Sequence, residues 1–247
     1  MNQVSVQFLG SGDNFGSGGR FQTCIYVHTG KQGFLIDMGA SSLIAMKRFG
    51  VETTSVDFIL LSHLHGDHFG GLPFFILESQ MISRRKRPII VAGPSGLEDR
   101  IFKTMEALFP GSTHAKRDFS IDFVEFADRE TIKIGSISVT PHLVIHPSGA
   151  SAYALRIECR GKIIAYSGDT EWTDRLIDVS SKADLFICEA YFYEKEIRYH
   201  LNYRTLMLHR SELNCKRLIL THMSEDMLGR LPGIDTEWAE DGKRVLL

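Results

Sequence analysis

Cysteine is scarce. The chain of 247 residues has four, at positions 24, 159, 188 and 215, with no CxxC pair and no regular spacing. That pattern excludes a disulfide scaffold and argues against a thiolate zinc site. No charge sign dominates either. Lys and Arg number 28 against 30 Asp and Glu, a net charge of -2, which excludes a strongly basic nucleic-acid coat and a polybasic membrane binder. The longest apolar stretch, FGGLPFFIL at 69–77, falls far short of the roughly 20 residues that a spanning helix requires. The opening MNQVSVQFLG has neither the basic n-region nor the long apolar h-region of a secretory signal. No Pro/Gly/Ser linker, low-complexity tract or repeat of 20–50 residues divides the chain. These absences lead to the expectation of a soluble protein of a reducing compartment, the cytoplasm, with no membrane partner. A single domain over 1–247 is the simplest organisation, and a chain of this length buries its core without staples.

What is present is an alternation of short β-rich runs with longer helix-like ones. Strands are expected at 4–9, 23–28, 33–37, 58–62, 88–92, 120–126, 131–134, 136–142, 151–159, 162–167, 185–189 and 217–221. SISVTP and TIKIG alternate with period two, while FILL and LIL are continuous runs of the buried kind. Helices are expected at 41–49, 69–83, 96–108, 172–180 and 203–214, with Ser41 capping the first and Gly50 stopping it. The strand clusters at the start and over 120–167 suggest two sheets, each with its own helices.

The chemistry concentrates in Phe58-Ile-Leu-Leu-Ser-His-Leu-His-Gly-Asp-His68. An apolar strand ends and delivers His63, His65, Asp67 and His68 within six positions. Imidazole and carboxylate are the ligand types shared by zinc, iron and manganese. A lone histidine is more often a surface or core residue, and His28, His114 and His209 are taken that way. Four ligand-type residues in six positions after a buried strand are a different matter. Three further strands end alike, at His146, at Asp169 after a glycine, and at His222, and the carboxyl ends of strands are where open α/β sheets place their sites. Seven candidates exceed one tetrahedral ion and fit two. We assign His63, His65 and His146 to the first, Asp67, His68 and His222 to the second, and Asp169 as the bridge. His142 is left out, because His146 stands at the strand end.

HLHGDH, the later histidine, the SGDT tetrapeptide and the last strand-end histidine resemble the metallo-β-lactamase superfamily. The matching motifs run from Asp37 in GFLIDMG to His222. The resemblance implies an α+β fold, an αββα four-layer sandwich of two mixed sheets with helices on both outer faces. It also implies that Asp37 supports the ligand loop. The opening FLGSGDNFGSGG resembles the FLGTG start of ribonuclease Z and its phosphodiesterase relatives. ADLFICEAYF at 183–192 resembles that group's ADLLIHEATF, with Cys188 where a histidine is usual. His200 resembles the group's histidine that supplies a proton to the leaving group, although the residues after it depart from the usual pattern. Ribonuclease Z also carries a long tRNA-gripping arm between the third and fourth metal motifs. Here His146 and Asp169 lie only 23 positions apart (169 minus 146), and a plain hairpin fills the interval.

The expected activity is that of a metal-dependent hydrolase, a phosphodiesterase using a hydroxide that bridges two divalent metals, zinc first, with manganese or iron sharing the ligand types. Asp67 orients the nucleophile, His200 is the general acid and Glu189 orients it. The alternatives are a carbon-ester, thioester, lactone or amide hydrolase of the same superfamily, and a non-catalytic metal-binding or partner-binding module, which would need a missing ligand. The expected substrate is a small phosphodiester or nucleotide-like molecule. RNA stays admissible without the arm, and a homodimer is expected because relatives often form one. The basic run Arg84–Arg87 is expected to be a solvated turn after a helix. The glycine-rich stretch 10–19 lacks the Lys-Ser/Thr of a phosphate loop. It is expected to be a flexible turn over the site, with Asp13 unassigned.

Overall fold

The computed structural model describes residues 3–247. In chain order the first strands are β1 (Ser5–Gly10), β2 (Cys24–His28), β3 (Gly33–Ile36), β4 (Phe58–Leu60), β5 (Ile89–Gly93) and β6 (Ile121–Glu125). They are followed by β7 (Ile132–Ile134), β8 (Ile137–Leu143), β9 (Tyr153–Cys159), β10 (Lys162–Tyr166), β11 (Leu185–Glu189), β12 (Leu218–Thr221) and β13 (Glu237–Trp238). The last strand, β14 (Arg244–Leu246), returns to pair antiparallel with β1. Among the described residues this gives two seven-stranded sheets, ordered β14-β1-β2-β3-β4-β5-β6 and β13-β12-β11-β10-β9-β8-β7. Each sheet is mixed. β1 to β3 and β7 to β10 pair antiparallel, whereas β3 to β6 and β10 to β13 pair parallel.

Side-chain alternation builds the layers. Val6 and Phe8 of β1, Phe34 and Ile36 of β3, and Phe58 and Leu60 of β4 meet Ile157, Ile187 and Ile219 of the other sheet in one core. The intervening Leu9, Leu35 and Ile59 face outward against α1 (Ser42–Arg48), α3 (Leu72–Met81) and α4 (Leu97–Leu108). On the opposite outer face, Phe186, Cys188 and Leu220 pack against α5 (Arg175–Ser180) and α6 (Tyr203–Leu208). Strands covered on both faces read as continuous apolar runs, which is why FILL and LIL do. The architecture is the expected αββα sandwich.

Several local expectations are corrected. The helix expected over 69–83 is two helices, α2 (Gly66–Phe69) and α3, separated at Gly70–Gly71. A Cβ on Gly71 would lie 2.4 Å from the Gly39 carbonyl oxygen, and Pro73 opens α3 where its missing N–H costs nothing. Ser41 does not cap α1; its Oγ accepts from Gln22 N at 2.8 Å instead. The stop after α1 holds, since Gly50 adopts φ 70. The expected 203–214 helix stops at Leu208. Beyond it His209 turns to Glu212 at 2.7 Å and stacks on Trp172 at 3.8 Å. The strand expected over 136–142 runs over Ile137–Leu143, so His146 lies three positions past its end rather than at it. β13, β14 and the four-residue α7 (Glu225–Leu228) are too short to show a period.

The basic run is structural. Arg85 is buried and donates to the carbonyls of Thr53, Val56, Arg87 and Pro88. Arg87 pairs with Asp57, and Lys86 with Asp118. The interval between His146 and Asp169 is the expected hairpin. β9 and β10 join through Arg160 and Gly161, both at positive φ, as a two-residue hairpin turn requires. No helix among the described residues is long and apolar enough to cross a membrane. The four cysteines are free, three of them buried.

Candidate metal centre

The carboxyl ends of β3, β4, β10, β11 and β12 converge at one edge of the sandwich. β4 hands over to the loop carrying His63 and His65, and α2 turns Asp67 and His68 toward the same point. Asp37, just past β3, anchors this loop from beneath. Its carboxylate accepts from Ser62 N at 2.7 Å, Ser62 Oγ at 2.7 Å, His68 Nδ1 at 2.7 Å and Tyr166 OH at 2.8 Å. The expected support is therefore made by a fully buried residue held at φ 57. Glycine admits the close approaches. A Cβ on Gly39 would lie 2.3 Å from the Asp67 carbonyl oxygen. One on Gly168, at φ +59, would lie 2.9 Å from the Tyr153 carbonyl oxygen.

All seven expected ligands meet. His63, His65 and His146 offer nitrogens that lie within 4.8 Å of one another. Asp67, His68, Asp169 and His222 form a second group with the same spacing. Asp169 stands between them. Its Oδ2 is 3.9 Å from His63 Nε2, 4.0 Å from His146 Nε2 and 3.4 Å from His222 Nε2, while Oδ1 is 3.3 Å from His68 Nε2. Asp67 Oδ2 is 3.2 Å from His68 Nε2 and 3.1 Å from His222 Nε2. His65 Nδ1 and His146 Nε2 face each other at 3.0 Å. His142 stays outside, as expected.

The residues fit a pair of divalent cations. His63 Nδ1 donates to Ser62 Oγ at 3.1 Å, His68 Nδ1 to Asp37, and His146 Nδ1 to the Tyr199 carbonyl at 2.8 Å. With Nδ1 protonated, each Nε2 carries a lone pair aimed at the centre. Buried His63 Nε2, His68 Nε2 and Asp169 Oδ1 have no hydrogen-bond partner, and a protein rarely leaves such atoms without a use for them. Charge adds to this. Burial lowers the pKa of His63 and brings His146 down to about 4, which suits neutral imidazole ligands. Burial opposes charge on His68 and His222 too, yet Asp169 and Asp67 outweigh it, raising His68 and lifting His222 to about 9. Burial likewise disfavours charge on Asp67 and Asp169, and the neighbouring histidines still hold both low. The site is a carboxylate pair that demands positive charge.

Beside it lies the expected dyad. Glu189 is fully buried at the end of β11, and its Oε2 accepts from His200 Nδ1 at 3.0 Å. Its other oxygen accepts from Thr170 N, next to Asp169. Burial and Asp169 raise the Glu189 pKa. Burial works against charge on His200, but Glu189 raises it above its ordinary value. His200 lies parallel to His222 with centroids 5.7 Å apart.

Sequence reasoning missed Tyr166, whose hydroxyl completes the Asp37 cluster, and Tyr191, whose ring stacks on His200 at 4.7 Å. Tyr166 carries no motif, and Tyr191 lies inside ADLFICEAYF without a role of its own there; only the fold brings both to the site. The glycine-rich opening is pinned rather than flexible. Asp13 Oδ1 accepts from Phe15 N and Ser17 N, and Oδ2 from Ser17 Oγ. Ser11 O accepts from His222 N, which ties the turn to the last ligand loop.

Fold and site together define a hydrolase of the metallo-β-lactamase superfamily, with its motifs in the ribonuclease Z and phosphodiesterase branch. The chain belongs to the family described as anti-Pycsar protein Apyc1, whose model matches residues 4–235. An uncharacterized protein of Mycobacterium tuberculosis is 31% identical over 194 residues, covering 76% of this chain and 69% of its own length. The ribonuclease Z of Lachnoclostridium phytofermentans is 24% identical over 276 residues, covering 91% and 88%. Among solved structures, the metallo-β-lactamase fold protein YhfI from Bacillus subtilis superposes with a TM-score of 0.78 at 21% identity, covering 99% of this chain and 100% of its own.

Proposed function

We propose that this metal-dependent hydrolase is a phosphodiesterase, with His63, His65 and His146 holding one divalent cation, Asp67, His68 and His222 a second, and Asp169 shared between them. The observation that carries the proposal is the convergence of seven ligand-type side chains next to the hydrogen-bonded His200–Glu189 pair. Two cations in such a site lower the pKa of water and neutralise charge on phosphoryl oxygens. Zinc is the expected metal, with manganese and iron compatible with the same donors.

The protein's own groups divide the remaining work. Asp67 accepts a hydrogen bond from the attacking water and orients it. Glu189 fixes the tautomer of His200 by accepting from Nδ1, so that His200 Nε2 faces the leaving oxygen and gives it a proton. Three features favour a small phosphodiester over tRNA: the short β9–β10 hairpin, the structural use of Arg85 and Arg87, and the net charge of -2. A homodimer and a cytoplasmic location belong to the same proposal.

The test is hydrolysis of bis(p-nitrophenyl) phosphate by protein reconstituted with zinc, manganese or iron. Turnover that disappears with chelator supports the proposal. No turnover with any of the three metals overturns it.

A further inference from the structure

Tyr191 follows β11 immediately after Ala190, between the loop of His200 and the loop of His222. Its backbone is fastened to both. Tyr191 N donates to the Leu201 carbonyl at 2.8 Å, and the Tyr191 carbonyl accepts from Ser224 N at 2.9 Å and Ser224 Oγ at 2.6 Å. Its ring stacks on His200 with centroids 4.7 Å apart and lies 5.7 Å from His222. The phenol is thus part of a ring array that also contains the proton donor and a ligand of the centre. Backbone bonds and ring contacts account for its placement, and its hydroxyl takes part in none of them. A half-buried tyrosine whose hydroxyl none of these contacts uses, carried on a backbone clamped from both sides, is preorganised for a ligand rather than for the fold.

We propose that Tyr191 contacts the substrate, its hydroxyl donating a hydrogen bond to a phosphoryl oxygen of the scissile phosphodiester. A phenol ordinarily titrates at about 10 and so is a donor at neutral pH. The assignment rests on the phosphodiesterase reading of the site.

The Tyr191→Phe variant keeps the ring and the stack and removes only the donor. Metal-loaded Tyr191→Phe is expected to keep the metal content and melting temperature of the wild type. Its kcat/KM for bis(p-nitrophenyl) phosphate should fall by about 10- to 100-fold, the scale of one hydrogen bond to a charged group. On a phosphodiester with a poor leaving group, the pH profile set by His200 should stay in place. The affinity of the metal-loaded protein for inorganic phosphate, measured by calorimetry without turnover, should weaken by about tenfold. A Phe variant equal to wild type in both rate and phosphate affinity overturns the assignment. If Tyr191→Leu then loses activity, the ring has only a stacking role, which also overturns it. A wild type that binds phosphate but cleaves no phosphodiester overturns the phosphodiesterase reading. In that case weaker phosphate binding by Tyr191→Phe would still support the hydrogen bond, and unchanged binding would remove it.

Discussion

Asp37 shows how much of the centre depends on one residue that faces none of the expected chemistry. It accepts four hydrogen bonds, from Ser62 twice, His68 and Tyr166. It thereby orients His68 directly and His63 through Ser62. Partners of this kind typically change metal affinity by about 10- to 100-fold. Asp37→Ala should therefore lose metal at micromolar chelator concentrations that leave the wild type loaded, as read by metal analysis after dialysis. His200 belongs to a different layer of the same site. His200→Ala should keep its metal and lose about 10²- to 10⁴-fold in kcat on a phosphodiester with a poor leaving group. The loss should be much smaller when the leaving group is p-nitrophenolate, which needs no proton. Equal losses on both substrates would contradict the role of general acid. His63, His65, Asp67 and His68 were legible from the sequence because one loop carries them all. Tyr166 and Tyr191 were not, because what recruits them is the crossing of strands distant in sequence.

Among the elements, β3 and β4 show what aims the ligand loop. Phe34 and Phe58 are paired in register and stack with centroids 4.8 Å apart, both buried between the sheets. Phe58→Ala should cost about 3–5 kcal/mol, measurable by denaturant unfolding, and loosen the loop that follows. At the other edge, β12 and β13 are tied by Arg217 and Glu237, with two bonds of 2.6 Å. The hydrogen bond from Arg217 is the largest cause holding the Glu237 carboxyl down at about 2, against an ordinary 4.5. A carboxyl lowered on folding stabilises the fold fully above its unfolded value, and that contribution fades as pH falls from about 4.5 to about 2. Since the pair is about a third exposed, solvent screening limits it to about 0.5–1 kcal/mol. Glu237→Gln should thus melt slightly lower than wild type at pH 7 and no differently near pH 2. β12 was legible as a continuous apolar run; β13 was not, since two residues display no alternation. The 69–83 helix was misread because FGGLPFFIL is apolar throughout. Only the packing of Gly71 against Gly39 reveals the break.

At the scale of the whole molecule, two sheets bring candidate ligands from both halves of the chain to one edge. His63, His65, Asp67 and His68 come from the first, and His146, Asp169 and His222 from the second. Metal binding should then tie the halves together, and a ligand that binds only the folded state stabilises it by mass action. Loading with metal at about 100 times its dissociation constant corresponds to about 2.7 kcal/mol, so chelation should lower the melting temperature measurably. The most direct check on the central claim is the metal content of purified protein by elemental analysis, wild type beside His63→Ala. The structure predicts close to two divalent ions per wild-type chain, with a clear loss in the variant alongside lost phosphodiester turnover. A wild type that holds no divalent metal under reconstitution, or a His63→Ala protein with the same content and rate, would contradict it.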